Sequence, residues 1–188
     1  MMKLRTLALV SLLIPALASA RDLSAGTLQL GGDTNLGFSM TTTDFGGGDV
    51  DTNVFDIGVS GLYYIIPNLG VGAFLDYSNE STEFEDIESD FSSTIIGPQV
   101  SYNLSLAEQA SAFGTFGLGY AKVDADDAEA SGFAWQLGGG IRYFPVSAVS
   151  LDGSITYSNV SLEDDFNNEG DVSDLRIGVG LSFYFGGK

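Results

Sequence analysis

LRIGVGLSFYF, residues Leu175 to Phe185, decides the fold. Its odd positions, Leu175, Ile177, Val179, Leu181, Phe183 and Phe185, are large and apolar. Its even positions hold Arg176, Gly178, Gly180, Ser182 and Tyr184. Successive side chains of a strand point to opposite faces, so this segment has one oily face and one face that is mostly small or polar. A pattern of that kind, repeated along long strands with glycine-rich polar faces, predicts a barrel in a membrane, wet inside and oily outside.

The same alternation recurs over 26–40, 53–65, 69–79, 92–104, 111–123, 132–144, 148–159 and 174–185, which predicts eight strands. An even number leaves both chain ends on one side, as bacterial single-chain barrels require. Three connections are tight: Ile66-Pro67-Asn68, Ser105 to Ala110, and Pro145-Val146-Ser147. Proline and asparagine preset turn geometry there. The other four, 41–52, 80–91, 124–131 and 160–173, are longer, polar and expected to be loops. Short and long connections alternate, so an amino end in the periplasm puts all four long ones outside the cell. Most of the 25 acidic residues lie in or beside those four segments. A charge on the lipid-facing wall costs about 2–4 kcal/mol at midplane, so charges are expected to avoid the strands.

Residues 1–20 read as a signal peptide and 21–188 as the barrel domain. Lys3 and Arg5 form a positive start, Leu7 to Leu17 an apolar run too short to span a bilayer, and Ala18-Ser19-Ala20 a cleavage site. The chain has no cysteine, so no disulfide stabilises it after export. Closing a sheet within lipid is another source of stability. Its net charge of −18 repels nucleic acid and excludes that class of partner. No run after residue 20 is long and apolar enough for a membrane helix, so insertion must be by strands.

Parity assigns Leu28, Leu30, Leu36, Phe38, Phe55, Val59, Val71, Leu75, Ile96, Val100, Phe116, Leu137, Ile141, Leu151 and Ile155, among others, to the outer face. Gln29, Asp33, Asn35, Asp56, Ser60, Asp76, Gln99, Ser101, Thr115, Gln136, Arg142, Asp152, Thr156 and Arg176 point inward. Aromatics gather in two belts, Tyr63, Tyr102, Tyr143, Phe183 and Phe185 at one end, Phe38, Tyr77, Tyr120, Trp135 and Tyr157 at the other. Phe113 and Phe116 cannot both face lipid without a bulge. A soluble barrel would invert the pattern and carry lysine and glutamate outside. The polar faces here hold mostly glycine, serine and threonine.

The segments VSGLYYIIPNLGVGAF (59–74), GLGYAKV (117–123) and GGGIRYFP (138–145) are glycine-studded strands running into or out of short turns. On these the chain resembles the small bacterial outer-membrane β-barrel family, the group around OmpX and the transmembrane domain of OmpA, from about Gly26 to Phe185. The resemblance implies an all-β, eight-stranded, antiparallel, up-and-down transmembrane barrel in the outer membrane of a Gram-negative bacterium. It implies insertion by the barrel-assembly machinery through a terminal aromatic signal. Phe183 and Phe185 fit that signal, although Gly186-Gly187-Lys188 follow them.

The chain has no histidine, which removes histidine acid–base catalysis and, with cysteine absent, thiol nucleophiles and common zinc ligand sets. The outer-membrane barrel enzymes that the resemblance brings in rely on a histidine, so no enzyme activity is expected. Asp56 and Asp76, inward on neighbouring strands, could form an acid–base pair, or hydrogen-bond inside the barrel, or pair with Arg176. Arg142 and Asp152 face each other across the turn at 145–147, which predicts an interior ion pair blocking the lumen. Asp124, Asp126, Asp127 and Glu129 offer hard oxygen ligands to Ca²⁺ without the EF-hand spacing. No cofactor is expected beyond loosely bound divalent cations.

The expected function is a monomeric structural or surface-interaction protein, meeting lipid and lipopolysaccharide through acidic extracellular loops. The alternative is a narrow porin-like pore for small solutes or cations, favoured by inward Asp33, Asp56, Asp76 and Asp152 and opposed by the small bore of eight strands.

Overall fold

The computed structural model describes residues 22–32, 37–44, 49–84, 87–125, 128–164 and 169–186; residues 1–20, expected to be a signal peptide, lie outside them. Nine strand segments form: β1 (Leu28–Gly32), β2 (Gly37–Asp44), β3 (Asp49–Ile66), β4 (Leu69–Phe84), β5 (Ile87–Ala107), β6 (Ala110–Ala125), β7 (Ala128–Val146), β8 (Val149–Asp164) and β9 (Glu169–Phe185). From β2 through β9, each pairs antiparallel with its neighbours in the chain.

The first strand closes the ring. Leu28 of β1 stands opposite Tyr63 of β3 on one side and Phe185 of β9 on the other. β2 then runs on along β3, from Gly37 opposite Asp56 to Asp44 opposite Asp49. β1 and β2 are therefore successive parts of one stave, and the barrel has eight staves. The predicted strand 26–40 is met as these two segments. Above Leu181, β9 pairs only with β8 among the described residues. Gly31 sits at φ +101°, and a Cβ there would lie 2.3 Å from the Leu181 carbonyl oxygen. Only glycine takes that backbone at so close an approach.

At one end the staves join through short turns at 67–68, 108–109 and 147–148. Asn68 occupies the left-handed region at φ 67°, which asparagine tolerates better than most residues. The register shifts near each turn, between Tyr64 and Ile66, Ser105 and Ala107, and Tyr143 and Val146. One-residue irregularities of this kind raise the local twist and suit barrel rims.

The opposite end departs from expectation. Most of 41–52, 80–91, 124–131 and 160–173 is paired strand, not loop, and only the tips 45–48, 85–86, 126–127 and 165–168 lie outside the described residues. Thr41 pairs with Thr52, Thr82 with Ser89, Lys122 with Ser131, and Ser161 with Asp171. Threonine and serine favour cross-strand pairing without being apolar, so a hydropathy reading ends these strands too early. β5 is 21 residues long, against roughly 9–11 for a tilted strand crossing a bilayer. The staves thus rise well past the apolar band as hairpin arms.

The outer face is oily over that band. Leu30, Val59, Val71, Ile96, Phe116, Leu137, Ile141, Leu151 and Ile155 are all exposed, while Gln29, Ser101, Arg142 and Asp152 are buried inside. Tyr63, Tyr102, Tyr143, Phe183 and Phe185 lie exposed towards the turn end. Tyr77, Tyr120, Phe133 and Tyr157 ring the arm end, where the Trp135 and Tyr157 rings stand 5.5 Å apart. Phe113 needs no bulge: it is buried in the lumen, and Phe116, three residues on, faces out. Leu36 falls outside the described residues.

A charge placed mid-band tests this facing. Ile155→Arg, between Leu151 and Tyr157 on the outer face of β8, is expected to cost about 2–4 kcal/mol in lipid vesicles. Ser161→Arg, on the arm of the same strand, is expected to change urea unfolding by less than about 0.5 kcal/mol.

Candidate functional site: the barrel interior

Eight staves leave an interior just wide enough for side chains. Towards the turn end a continuous polar network fills it. Arg142 of β7 donates from Nε to Asp152 Oδ2 of β8 at 3.3 Å, with both side chains 1 % exposed. Arg142 Nη1 donates to Asn103 Oδ1 of β5 at 2.5 Å, and its guanidinium lies 4.0 Å above the Phe113 ring of β6. Asn103 Nδ2 donates to Tyr64 Oη of β3 at 2.8 Å, and Tyr64 donates to Gln29 Oε1 of β1 at 2.7 Å. Gln29 Nε2 donates to Ser182 Oγ of β9 at 3.2 Å, and Ser182 donates to Asp152 Oδ2 at 2.6 Å. Ser150 Oγ donates to Asp152 Oδ1 at 2.6 Å.

The circuit begins and ends on Asp152 and touches β1, β3, β5, β6, β7, β8 and β9. The remaining wall, β4, contributes Gly70, where a Cβ would stand 3.4 Å from the Tyr64 ring. Taking two charges out of water is costly, and it is offset only when every remaining donor and acceptor is occupied. Asp152 receives Arg142, Ser150 and Ser182. Ser101 Oγ and Ser111 Oγ are buried nearby without a hydrogen-bond partner.

Below the network, Leu23, Leu62, Tyr64, Phe144 and Tyr184 form an apolar plug. Leu23 comes from the segment before β1, which is tied beneath the first turn. Leu23 N donates to Asn68 Oδ1 at 2.9 Å, and Asn68 N donates to Leu23 O at 2.8 Å. Asn68 Nδ2 and Ser105 Oγ both donate to Asp22 Oδ1, at 2.7 and 2.8 Å. These two hydrogen bonds hold the Asp22 carboxyl below its ordinary pKa of 3.8.

Above the network the bore narrows to a void of about 20 Å³ bordered by Ser60, Phe74, Asp76, Gln99, Thr115, Gln136 and Thr156. That is room for about one water molecule. Gly117 belongs to this level: a Cβ there would sit 2.7 Å from the Phe74 ring and 3.0 Å from Gln136. Further towards the arms the interior opens into a vestibule of about 410 Å³. Its floor is apolar, with Phe74, Ile95, Ala121, Ala134 and Val160 packed together and Leu162 against them. The sequence reading anticipated a polar interior throughout and missed this cluster. The signal was available: inward parity selects Ile95 and Val123 within the predicted strands 92–104 and 111–123, and Val160 and Leu162 once the predicted strand 148–159 is carried further.

The predicted site residues separate into groups. Arg142 and Asp152 meet in the network. Asp76 borders the narrow void and Asp56 the vestibule; Asp76 stands opposite Gly58, and Asp56 opposite Ser78. The two carboxylates are thus diagonal across β3 and β4, at different levels of the bore. The ion pair of Arg176 is with Asp174 on its own strand, two residues away on the same face, which corrects the expected pairing with Asp56 or Asp76. Asp33, Asp126 and Asp127 lie outside the described residues. Of the other Ca²⁺ candidates, Asp124 Oδ1 is 2.8 Å and Glu129 Oε2 3.4 Å from Lys122 Nζ. The hydrogen bond from Lys122 to Asp124 raises the pKa of the ammonium, so a cation already stands between these two carboxylates. Among the described residues no cluster of three metal-ligating side chains occurs.

Comparison with known proteins points one way. The outer membrane protein beta-barrel domain family matches residues 6–185. Neisserial surface protein A superposes with a TM-score of 0.59 at 16% identity, covering 85% of this chain and 96% of its own. The outer membrane protein OprG of Pseudomonas aeruginosa superposes with a TM-score of 0.54 at 12% identity, covering 86% of this chain and 97% of its own. No curated protein matches the sequence.

Removing one partner of the buried pair leaves the other charged and alone. Arg142→Ala and Asp152→Ala are each expected to cost about 3–5 kcal/mol in urea unfolding from vesicles. Ser111→Ala, which deletes a buried hydroxyl with no partner, is expected to be neutral within about 0.5 kcal/mol. The Asp22 tie has a pH signature. Its folded pKa lies below the unfolded value, so its stabilisation is complete above that value and is lost as pH falls through the folded one. Hydrogen exchange at the Leu23 amide is therefore expected to accelerate below about pH 3.8. In Asp22→Asn it is expected to be insensitive to pH across that window, beyond the intrinsic exchange rate.

Proposed function

We propose, from the premise that the chain belongs to the outer membrane protein beta-barrel domain family, that it is a closed, non-enzymatic barrel acting at the cell surface through its acidic arms. The observation that carries this reading is the filled lumen. The apolar plug, the Arg142 network and the void of about 20 Å³ lie in series along the bore. Such a barrel has its outer wall and its arms left for interaction. The arms carry most of the 25 acidic residues against only 7 basic residues in the whole chain. Carboxylates at that density attract divalent cations, and through them the phosphates of lipopolysaccharide, without needing a discrete metal site. Export by the segment 1–20, insertion through Phe183 and Phe185, a monomeric state and extracellular placement of the arms belong to the same reading. Exposure of both phenylalanines on the outer face is consistent with it.

A cation-selective pore is the rival, and inward Asp56 and Asp76 favour it. For conduction the guanidinium of Arg142, itself a cation held in the path, would have to move aside. Planar-bilayer recording of the purified barrel decides between the two. No conductance steps are expected; steady, cation-selective openings would overturn the reading.

A further inference from the structure

The vestibule has a composition that neither a structural wall nor a water-filled lumen requires. An aqueous lumen is polar, yet Phe91, Ile95, Val123, Val160, Leu162 and Val172 all line this one. Four of them come from β5 and β8, which β6 and β7 separate around the ring. β3 and β4 present the carboxylates of Asp56 and Glu80, and Glu80 stands opposite Phe91 on the neighbouring strand. Arg176 is the only cationic residue lining the vestibule among the described residues, and Asp174 beside it neutralises its charge. The lining thus carries three carboxylates and one guanidinium set among apolar side chains, with Phe91 beside Glu80 and Val160 and Leu162 on β8. Its volume of about 410 Å³ falls within the range of small-molecule sites, roughly 300–1,000 Å³, which are mostly apolar with a few convergent polar groups.

We propose that this vestibule is a binding site for a small organic cation: an ammonium group paired with Asp56 and Glu80, carrying an aromatic or branched alkyl body that lies against Phe91, Ile95 and Val160. Each part of the ligand answers one kind of lining group. The apolar body removes water from the greasy wall. The ammonium meets carboxylates inside a narrow cavity, where low-dielectric walls focus their field. An inorganic cation would leave the apolar wall wet, a neutral molecule would leave the carboxylates uncompensated, and an anion would be repelled. The site lies above the narrow void and the Arg142 network, so occupancy does not require passage through the barrel. It stands apart from the surface role proposed above and does not depend on it.

Calorimetric titration of the mature barrel in zwitterionic-lipid nanodiscs tests the assignment, with barrel-free nanodiscs as the blank. The probes are phenethylamine, the neutral phenethyl alcohol and the anionic phenylacetate. Saturable binding of the amine is expected at one per barrel, with the alcohol at least about tenfold weaker and phenylacetate undetected. The double variant Asp56→Asn, Glu80→Gln is expected to weaken the amine about tenfold or more and to leave the alcohol unchanged. Ile95→Ser is expected to weaken amine and alcohol alike. Folding of each variant is checked by its heat-modifiable mobility on gels. No saturable heat above the blank, equal binding of amine and phenylacetate, or a folded double variant that binds the amine as wild type does would each overturn the proposal.

Discussion

Hydrocarbon offers backbone amides and carbonyls no partner, and every other feature of this chain follows from that constraint. A sheet can satisfy it only by closing, because an open edge would leave a row of unpaired polar groups in lipid. Among the described residues, closure falls to five. Leu28 to Gly32 hold β9 on one side, and four of them hold β3 on the other. The seam is tight enough that Gly31 lies almost on the Leu181 carbonyl. The tied segment before β1 sets where that short strand begins, with Asn68 holding Leu23 from both directions.

Closing eight staves creates a second problem, a bore too wide to vanish and too narrow for bulk water. The chain solves it differently at the two ends. Near the turns it uses side chains that hydrogen-bond to each other, and the Arg142–Asp152 pair serves as the hub because a fork of donors and a carboxylate can address several strands at once. Near the arms the wall widens and the filling changes to aliphatic groups against carboxylates. Polar filling makes the turn end rigid and specific in register, since slipping any strand by one residue would carry its share of the network into lipid. The arm end has no such lock, and its vestibule is open space.

The alternation in 175–185 was enough to predict the fold, because facing in a sheet has a period of two and lipid tolerates few exceptions. The interior pair was legible for the same reason: a turn at 145–147 places Arg142 and Asp152 opposite each other once parity has put both inside. The failures share another cause. The arms were read as loops because their strands are held by pairing with each other, and Thr41 opposite Thr52 leaves no mark in hydropathy. Ending the seventh stretch of alternation at 159 hides part of the apolar lining, since Val160 and Leu162 lie just beyond it. Arg176 was matched to Asp56 or Asp76 across the bore when a neighbour on its own strand, Asp174, lay nearer.

Charge placement separates the two functional readings more sharply than the fold does. A cation-selective pore needs its carboxylates exposed along a continuous path. Asp152 is committed to Arg142, Ser150 and Ser182, and it lies between an apolar plug and a void that admits about one water. Asp22 and Glu108 lie exposed at the turn end, whereas Asp56, Glu80 and Asp174 line the vestibule on the arm side of the network. On the proposed reading, a field that ends at a buried arginine attracts cations without conducting them. On that same reading the acidic arms and the vestibule hold ligands at one mouth, and the closure that keeps the wall intact in lipid confines them there.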